Sequence, residues 1–340
     1  MSKYSPFRPL EEELSSALLD AEAQEALSPE ECDHLFSFAH AAPREQDRHS
    51  LRNRSYWRST LTKFSRNRLA MCMLAVMALI LLFSILQPLL PGQLDPTAIN
   101  NDPVTGLQVM NRKPGHEFWL GTNSIGRDLW ARIWAGTRTS LLIGFAVAVL
   151  RNLLGVAVGF LWGYVRALDD VFTGLYNIID NIPSTIILML ATYILRPGVG
   201  TIIFSMCVTG WLGVARFVRN QVVILRDRDF NRASRCLGTP ISRIILKNLL
   251  PHTLSVIVLQ FVLTIPSAIG SEVFLTYIGL GLPAQQPSLG NLINTGRMLV
   301  MSPSLRYQFY FPCIVLSLIT VCFYMVGSAF ADAADPKNHD

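Results

Sequence analysis

The chain has 340 residues, 51% hydrophobic and 16% charged, with a formal net charge of +5. The apolar residues are gathered into long runs, which excludes a single large soluble domain. Twenty-odd helical residues reach about 30 Å, the thickness of a bilayer core, so each run reads as a membrane crossing.

Residues 1–50 form an acidic block, eleven Asp and Glu against four Lys and Arg. Leu10, Leu14, Leu18, Leu19 and Leu27 recur at partly helical spacing, and Ser28-Pro29-Glu30-Glu31 resembles a second helix start. This cytosolic extension is read either as a solvated tail or as a docking segment. Residues 51–68 carry Arg52, Arg54, Arg58, Lys63, Arg66 and Arg68 with no acid, a juxtamembrane lead-in suited to anionic lipid headgroups. The first apolar run begins only after residue 68, so no cleavable signal sequence is expected.

The first span is predicted over 69–90, followed by an external loop over 91–140 that Pro91, Gly92, Pro96, Pro103, Pro114 and Gly115 interrupt. Trp119, Trp130 and Trp134 suit a helix lying at the membrane surface. Five further spans follow, roughly 141–165, 178–195, 199–218, 253–278 and 309–330, giving a five-helix core over 141–330 and a cytosolic tail over 331–340. The fold class is therefore all-α, a polytopic membrane protein with six transmembrane helices. Gly155, Gly159 and Gly163 recur every fourth residue, a spacing that lets a neighbouring helix approach closely. Pro183 and Pro266 are expected to kink the third and fifth spans.

Orientation follows from the short loops. The lead-in and the segment carrying Arg216, Arg219, Arg226, Arg228, Arg232, Arg235, Arg243 and Lys247 share a side, which the positive-inside rule places in the cytosol. Six spans then put both termini there. Arg127, Arg132 and Arg138 run against the rule but lie among acids.

The loop over 228–251 reads as a helix, a stop at Gly238 and a new start at Thr239-Pro240, with Thr as cap and Pro in the first turn. A structured basic helix pair on the cytosolic side is a handle for a soluble partner. Cys32, Cys72, Cys207, Cys236, Cys313 and Cys322 show no paired spacing, so neither a metal site nor a disulfide framework is expected. No phosphate-binding Gly-x4-Gly-Lys-Ser/Thr, His-Glu-x-x-His or Gly-x-Ser-x-Gly pattern occurs, and no catalytic residue is assigned.

Four segments resemble the permease subunits of ATP-binding-cassette importers for dipeptides, oligopeptides and nickel, and more narrowly the second of their paired permeases. They are Gly121-Thr122-Asn123-Ser124-Ile125-Gly126-Arg127-Asp128; Gly210-Trp211-Leu212-Gly213-Val214-Ala215-Arg216; Glu272 with Tyr277-Ile278-Gly279-Leu280-Gly281-Leu282 and Pro287-Ser288-Leu289-Gly290; and the ending from Gly327 to Pro336. The resemblance implies the type I importer permease fold. It implies that Arg232, Ala233, Ser234, Gly238, Leu250 and Pro251 form the segment that couples to an ATPase. Small Ala233 and Ser234 allow close docking. Arg232 stands where the family has an acid, Asn177 where it has Asp, and Leu289 where it has Trp.

By the same resemblance the partners are a paired homologous permease, two ATPase subunits and an extracytoplasmic substrate-binding protein, in an inner membrane and with no nucleic acid. The chain itself is expected to bind no cofactor, ATP and Mg lying on the partner subunits. Short peptides are the expected cargo, with nickel or another small solute as the alternative.

Inside the spans, Arg151, Asn152, Asp180, Asn181 and Glu272 are too polar to face lipid. Two readings stand: Arg151 pairs with Asp180 or Glu272, or these residues line a hydrated path. A self-sufficient ion-coupled carrier using Asp180, Glu272 and Arg151, and a scaffold or sensor with the permease fold, are the competing functional classes.

Overall fold

Long, predominantly apolar stretches form the longest helices, because a chain crossing hydrocarbon must satisfy its backbone polar groups within itself. The computed structural model describes residues 56–334. The helices expected within residues 1–50, the first residues of the lead-in and the last residues of the tail lie outside them. A short helix α1 (Tyr56–Arg66) leads into α2 (Arg68–Leu86), capped by the Asn67 side chain. An irregular segment then reaches α3 (Leu129–Tyr164), followed by α4 (Arg166–Asp180), α5 (Ser184–Ile194) and α6 (Val199–Arg226). Next come α7 (Asp229–Cys236), the single turn α8 (Ile241–Ile244), α9 (Leu250–Tyr277), α10 (Leu289–Arg297) and α11 (Tyr307–Ala334).

Among the described residues, five helices are long and apolar enough to cross a membrane, and the bent pair α4–α5 makes a sixth if it counts as one span. Several expected boundaries change. The second span begins at Leu129, so α3 has 36 residues and is about 54 Å long, well over a bilayer core. The external segment consequently ends at Asp128. Trp130 and Trp134 lie in the first turns of α3, packed edge-on against Phe83 of α2, instead of forming a separate surface helix. Pro183 does more than kink the third span: α4 ends at Asp180, α5 starts after Pro183, and the two meet at 78°. Pro266 sits inside an unbroken α9.

The tightest seam joins α3 to α6. A Cβ on Gly155 would lie 2.5 Å from Val214 Cβ, one on Gly159 2.6 Å from the Ala215 carbonyl oxygen, and one on Gly163 2.7 Å from Val222 Cβ. The glycine ladder is thus a groove into which α6 sets small and β-branched side chains. Nearer the start of α3, Gly144 admits Ile265 and Ile269 of α9. Ile80, Leu141, Ala148, Ile265, Ile269, Leu289, Ile319 and Phe323 close the central core. Outward sides remain apolar, as at Leu79, Leu82, Leu153 and Leu190, all more than half exposed to what is lipid or a partner in the membrane.

Phe83 near the end of α2 meets Trp130 near the start of α3, so these helices run antiparallel. Their far ends, bearing α1 and the region of Tyr164, therefore share one face of the bundle. Arg235 of α7 reaches that face, its Nε donating to the Tyr164 hydroxyl at 3.1 Å.

Candidate functional site

The cap that precedes α3 is built from the first motif. Gly121 and Gly126 have φ of +81° and +78°, values that a side chain disfavours. The hydroxyl of buried Thr122 donates to the Val109 carbonyl at 2.6 Å and accepts from the Arg112 N–H at 2.9 Å. Asn123 closes the turn by accepting from the N–H groups of Ile125 and Arg127. Asp128 caps α3, its Oδ2 accepting from Ala131 N–H at 2.8 Å, whereas its Oδ1 and Arg127 Nε are buried without partners among the described residues. Burial raises the Asp128 carboxyl above its ordinary range, against lowering by the Ala131 and Trp130 N–H groups. The sequence did not single out Tyr307, whose hydroxyl lies 2.9 Å from the Arg112 carbonyl and 2.8 Å from that of Thr122, tying the cap to α11.

Glu272 is fully buried and is not paired with Arg151. Three hydroxyls donate to it: Ser140 of α3 to Oε2 at 3.1 Å, Thr276 to Oε1 at 3.1 Å, and Ser288 to Oε1 at 2.9 Å. The same Ser288 oxygen caps α10 by accepting from Asn291 N–H. Gly290 is small for a reason, since a Cβ there would lie 2.8 Å from Oε1. The carboxyl therefore knots α3, α9 and the start of α10.

Arg151 makes neither expected ion pair. Its Nε donates to the Met206 carbonyl at 2.8 Å, and no carboxylate lies within salt-bridge distance among the described residues. It does share a cavity of about 350 Å³ with Asp180, whose carboxylate is also outside salt-bridge range of any described cation. Asn152 faces elsewhere, donating to the Ala148 carbonyl and reaching Thr264 at 3.5 Å. Asn181 ends α4 and is exposed. An ion pair does join α6 to α4: Arg219 grips Asp169 with Nη2 at 2.8 and 2.7 Å, and Trp162 Nε1 donates to the same carboxylate at 2.9 Å.

The elbow at 228–251 has the expected stop: Gly238 has φ +72°, and nothing lies within 4 Å of where its Cβ would be. Its second limb starts differently. Pro240 occupies the cap position, Ile241 is the first helical residue, and no side chain caps it, so Thr239 has no such role. Between α8 and α9 runs one wide turn, Ile245–Leu249, in which the Leu250 N–H bonds the carbonyl of Ile245, five residues back. Two asparagines hold the limbs together. Buried Asn231 donates to the Leu225 carbonyl at 2.8 Å, while Asn248 donates to Asn231 Oδ1 at 3.1 Å and to Ser234 Oγ at 3.2 Å. Ser234 is thus half-buried against the second limb. Arg232, Ala233, Gly238 and Pro251 are exposed, and Leu250 is half-buried. Leu237 is 84% exposed, and Phe230 and Ile241 of the same segment are exposed as well.

Residues 152–340 match the family described as the binding-protein-dependent transport system inner membrane component, and residues 55–105 match the N-terminal TM domain of oligopeptide transport permease C. Over 285 residues, 84% of this chain and 91% of the relative, the chain is 38% identical to the oligopeptide transport system permease protein AmiD of Streptococcus pneumoniae. It is 33% identical over 308 residues to the oligopeptide permease OppC of Bacillus subtilis, covering 89% of this chain and 97% of the relative. The dipeptide permease DppC of the same organism is also 33% identical, over 306 residues, 90% of this chain and 93% of the relative.

Proposed function

Because the chain belongs to the binding-protein-dependent transport system inner membrane components, we propose that it is one membrane half of an ATP-driven importer of short peptides. The peptide cargo is read from the names of its relatives, which are oligopeptide and dipeptide permeases. A second, homologous permease completes the pore. Two ATPase subunits bind ATP and Mg on the cytosolic side, and an extracytoplasmic binding protein delivers the peptide to the external cap and to the surface near residues 279–297. Both termini lie in the cytosol.

The elbow carries this reading. Leu237 and its neighbours expose apolar surface on a segment whose Arg228, Arg232, Arg235 and Arg243 keep it out of hydrocarbon. Such a patch rimmed by charge fits a protein partner. Closure of the ATPases would push the elbow and, through α9 and α6, swing the spans from inward- to outward-facing. A self-sufficient carrier needs no such handle.

Replacing Gly238 with Val tests the coupling. A side chain forced into the left-handed region costs about 1–2 kcal/mol, and a β-branched one is the least tolerated. In the complete transporter reconstituted in liposomes, ATP-driven uptake of tri-alanine is expected to fall about tenfold in the variant while subunit assembly and ATP hydrolysis persist. Unchanged uptake would remove the coupling role.

A further inference from the structure

The setting of Arg151 is specific. Its side chain leaves α3 and lies over Gly210 of α6, where a Cβ would be 2.1 Å from Nε and 2.4 Å from Cζ. Any other residue at 210 would displace it. The bond from Nε to the Met206 carbonyl fixes the plane of the guanidinium, and Nε is its one nitrogen with a partner among the described residues. Arg151 and Ser267 line both the cavity of about 350 Å³ and a second of about 220 Å³, so the arginine stands where the two meet. Ser184, Thr209 and Ser271 add hydroxyls to the larger one, and Asp180 is the one acid in its wall.

An arginine within a span is costly unless a counter-charge or water meets it. No fixed carboxylate of the described residues does so. A planar, tethered guanidinium is matched in shape to a carboxylate, which it binds through two parallel N–H donors. An acid of opposite sign in the same cavity disfavours a simple anion and favours a molecule carrying both charges, with the hydroxyls placed for amide groups.

Resting on the peptide-importer reading above, we propose that Arg151 receives the terminal carboxylate of the peptide in transit, with Asp180 facing its ammonium end. Gly210 acts as a positioning residue that admits the guanidinium.

The test uses the complete transporter in liposomes, with tri-alanine and tri-alaninamide as probes, and with uptake normalised to capture of each probe by the delivery protein. Arg151→Gln is expected to lower uptake of the free acid about tenfold and to leave the amide unchanged; Arg151→Lys, which keeps the charge but loses the fork and the tether to Met206, should fall between the parent and Arg151→Gln. Gly210→Ala should follow Arg151→Gln on the free acid. Equal loss of both probes in Arg151→Gln, or equal loss in the Lys and Gln variants, would overturn the assignment and point to a carboxylate of the paired permease as the partner of Arg151. Unaltered uptake in Arg151→Gln would overturn it as well. A parent transporter that hydrolyses ATP but moves neither probe would instead sink the peptide-importer reading, and this one with it.

Discussion

Asp128 shows how a single carboxyl can hold two opposed roles. One oxygen caps α3; the other is buried without a partner among the described residues, and burial lifts the group's pKa. Because the folded value lies above the unfolded one, the stability tied to this group is full at low pH. It is lost as pH rises from the ordinary carboxylate value through the raised one. Asn caps as well as Asp and carries no charge. Asp128→Asn should therefore flatten the pH dependence of melting above the ordinary carboxylate range, whereas Asp128→Ala should cost about 1 kcal/mol. Glu272 calls for a different pair of variants. Leu in its place strands the hydroxyls of Ser140, Thr276 and Ser288 and should cost about 3–5 kcal/mol; Gln keeps an acceptor and should cost about 1–2. Thermal unfolding in detergent measures both. The sequence marked Asp128 and Glu272 through their motifs, but not their partners. Ser140 stands 132 residues from Glu272, a separation that no local spacing encodes.

Among the helices, what was legible depended on range. The crossings could be read because length and apolarity are properties of a segment alone. The start of α3 could not, because its early arginines look like loop. In the structure Arg132 donates to the carbonyls of Pro96 and Ala284 and Arg138 to that of Ser84, so the charges are held at helix flanks and the helix continues past them. Pro183 marked a disturbance, and only the packed structure sets its 78° angle. The glycine ladder is the clearest case of a local pattern with a long-range meaning. Gly159→Leu would drive a side chain into the backbone of α6, where the nearest carbonyl leaves 2.6 Å for the first carbon. Overpacking of this kind should cost about 1–3 kcal/mol, read as a lower melting temperature and reduced accumulation in the membrane.

The whole molecule has two ends with different work. One carries the cap latched by Tyr307; the other carries α1 and the elbow. The function proposed above puts the elbow end in the cytosol, and Cys236 offers a direct check because it is exposed in α7, beside Leu237. In a chain whose other cysteines are replaced by Ala, a membrane-impermeant maleimide should label Cys236 in inside-out vesicles and leave it unlabelled in intact cells. Labelling from outside would invert the topology. Bound ATPase should also shield this thiol. Adjacent to it, the elbow joins α9 through the wide turn at Ile245–Leu249, which fits one more residue into a helical turn than the regular spiral holds. Each residue of an α-helix advances the heading by about 100°. The elbow's compass bearing about the axis of α9 is thus set by a single surplus residue, and tightening that coil into an ordinary one would turn the handle through more than a quarter circle without altering any membrane crossing.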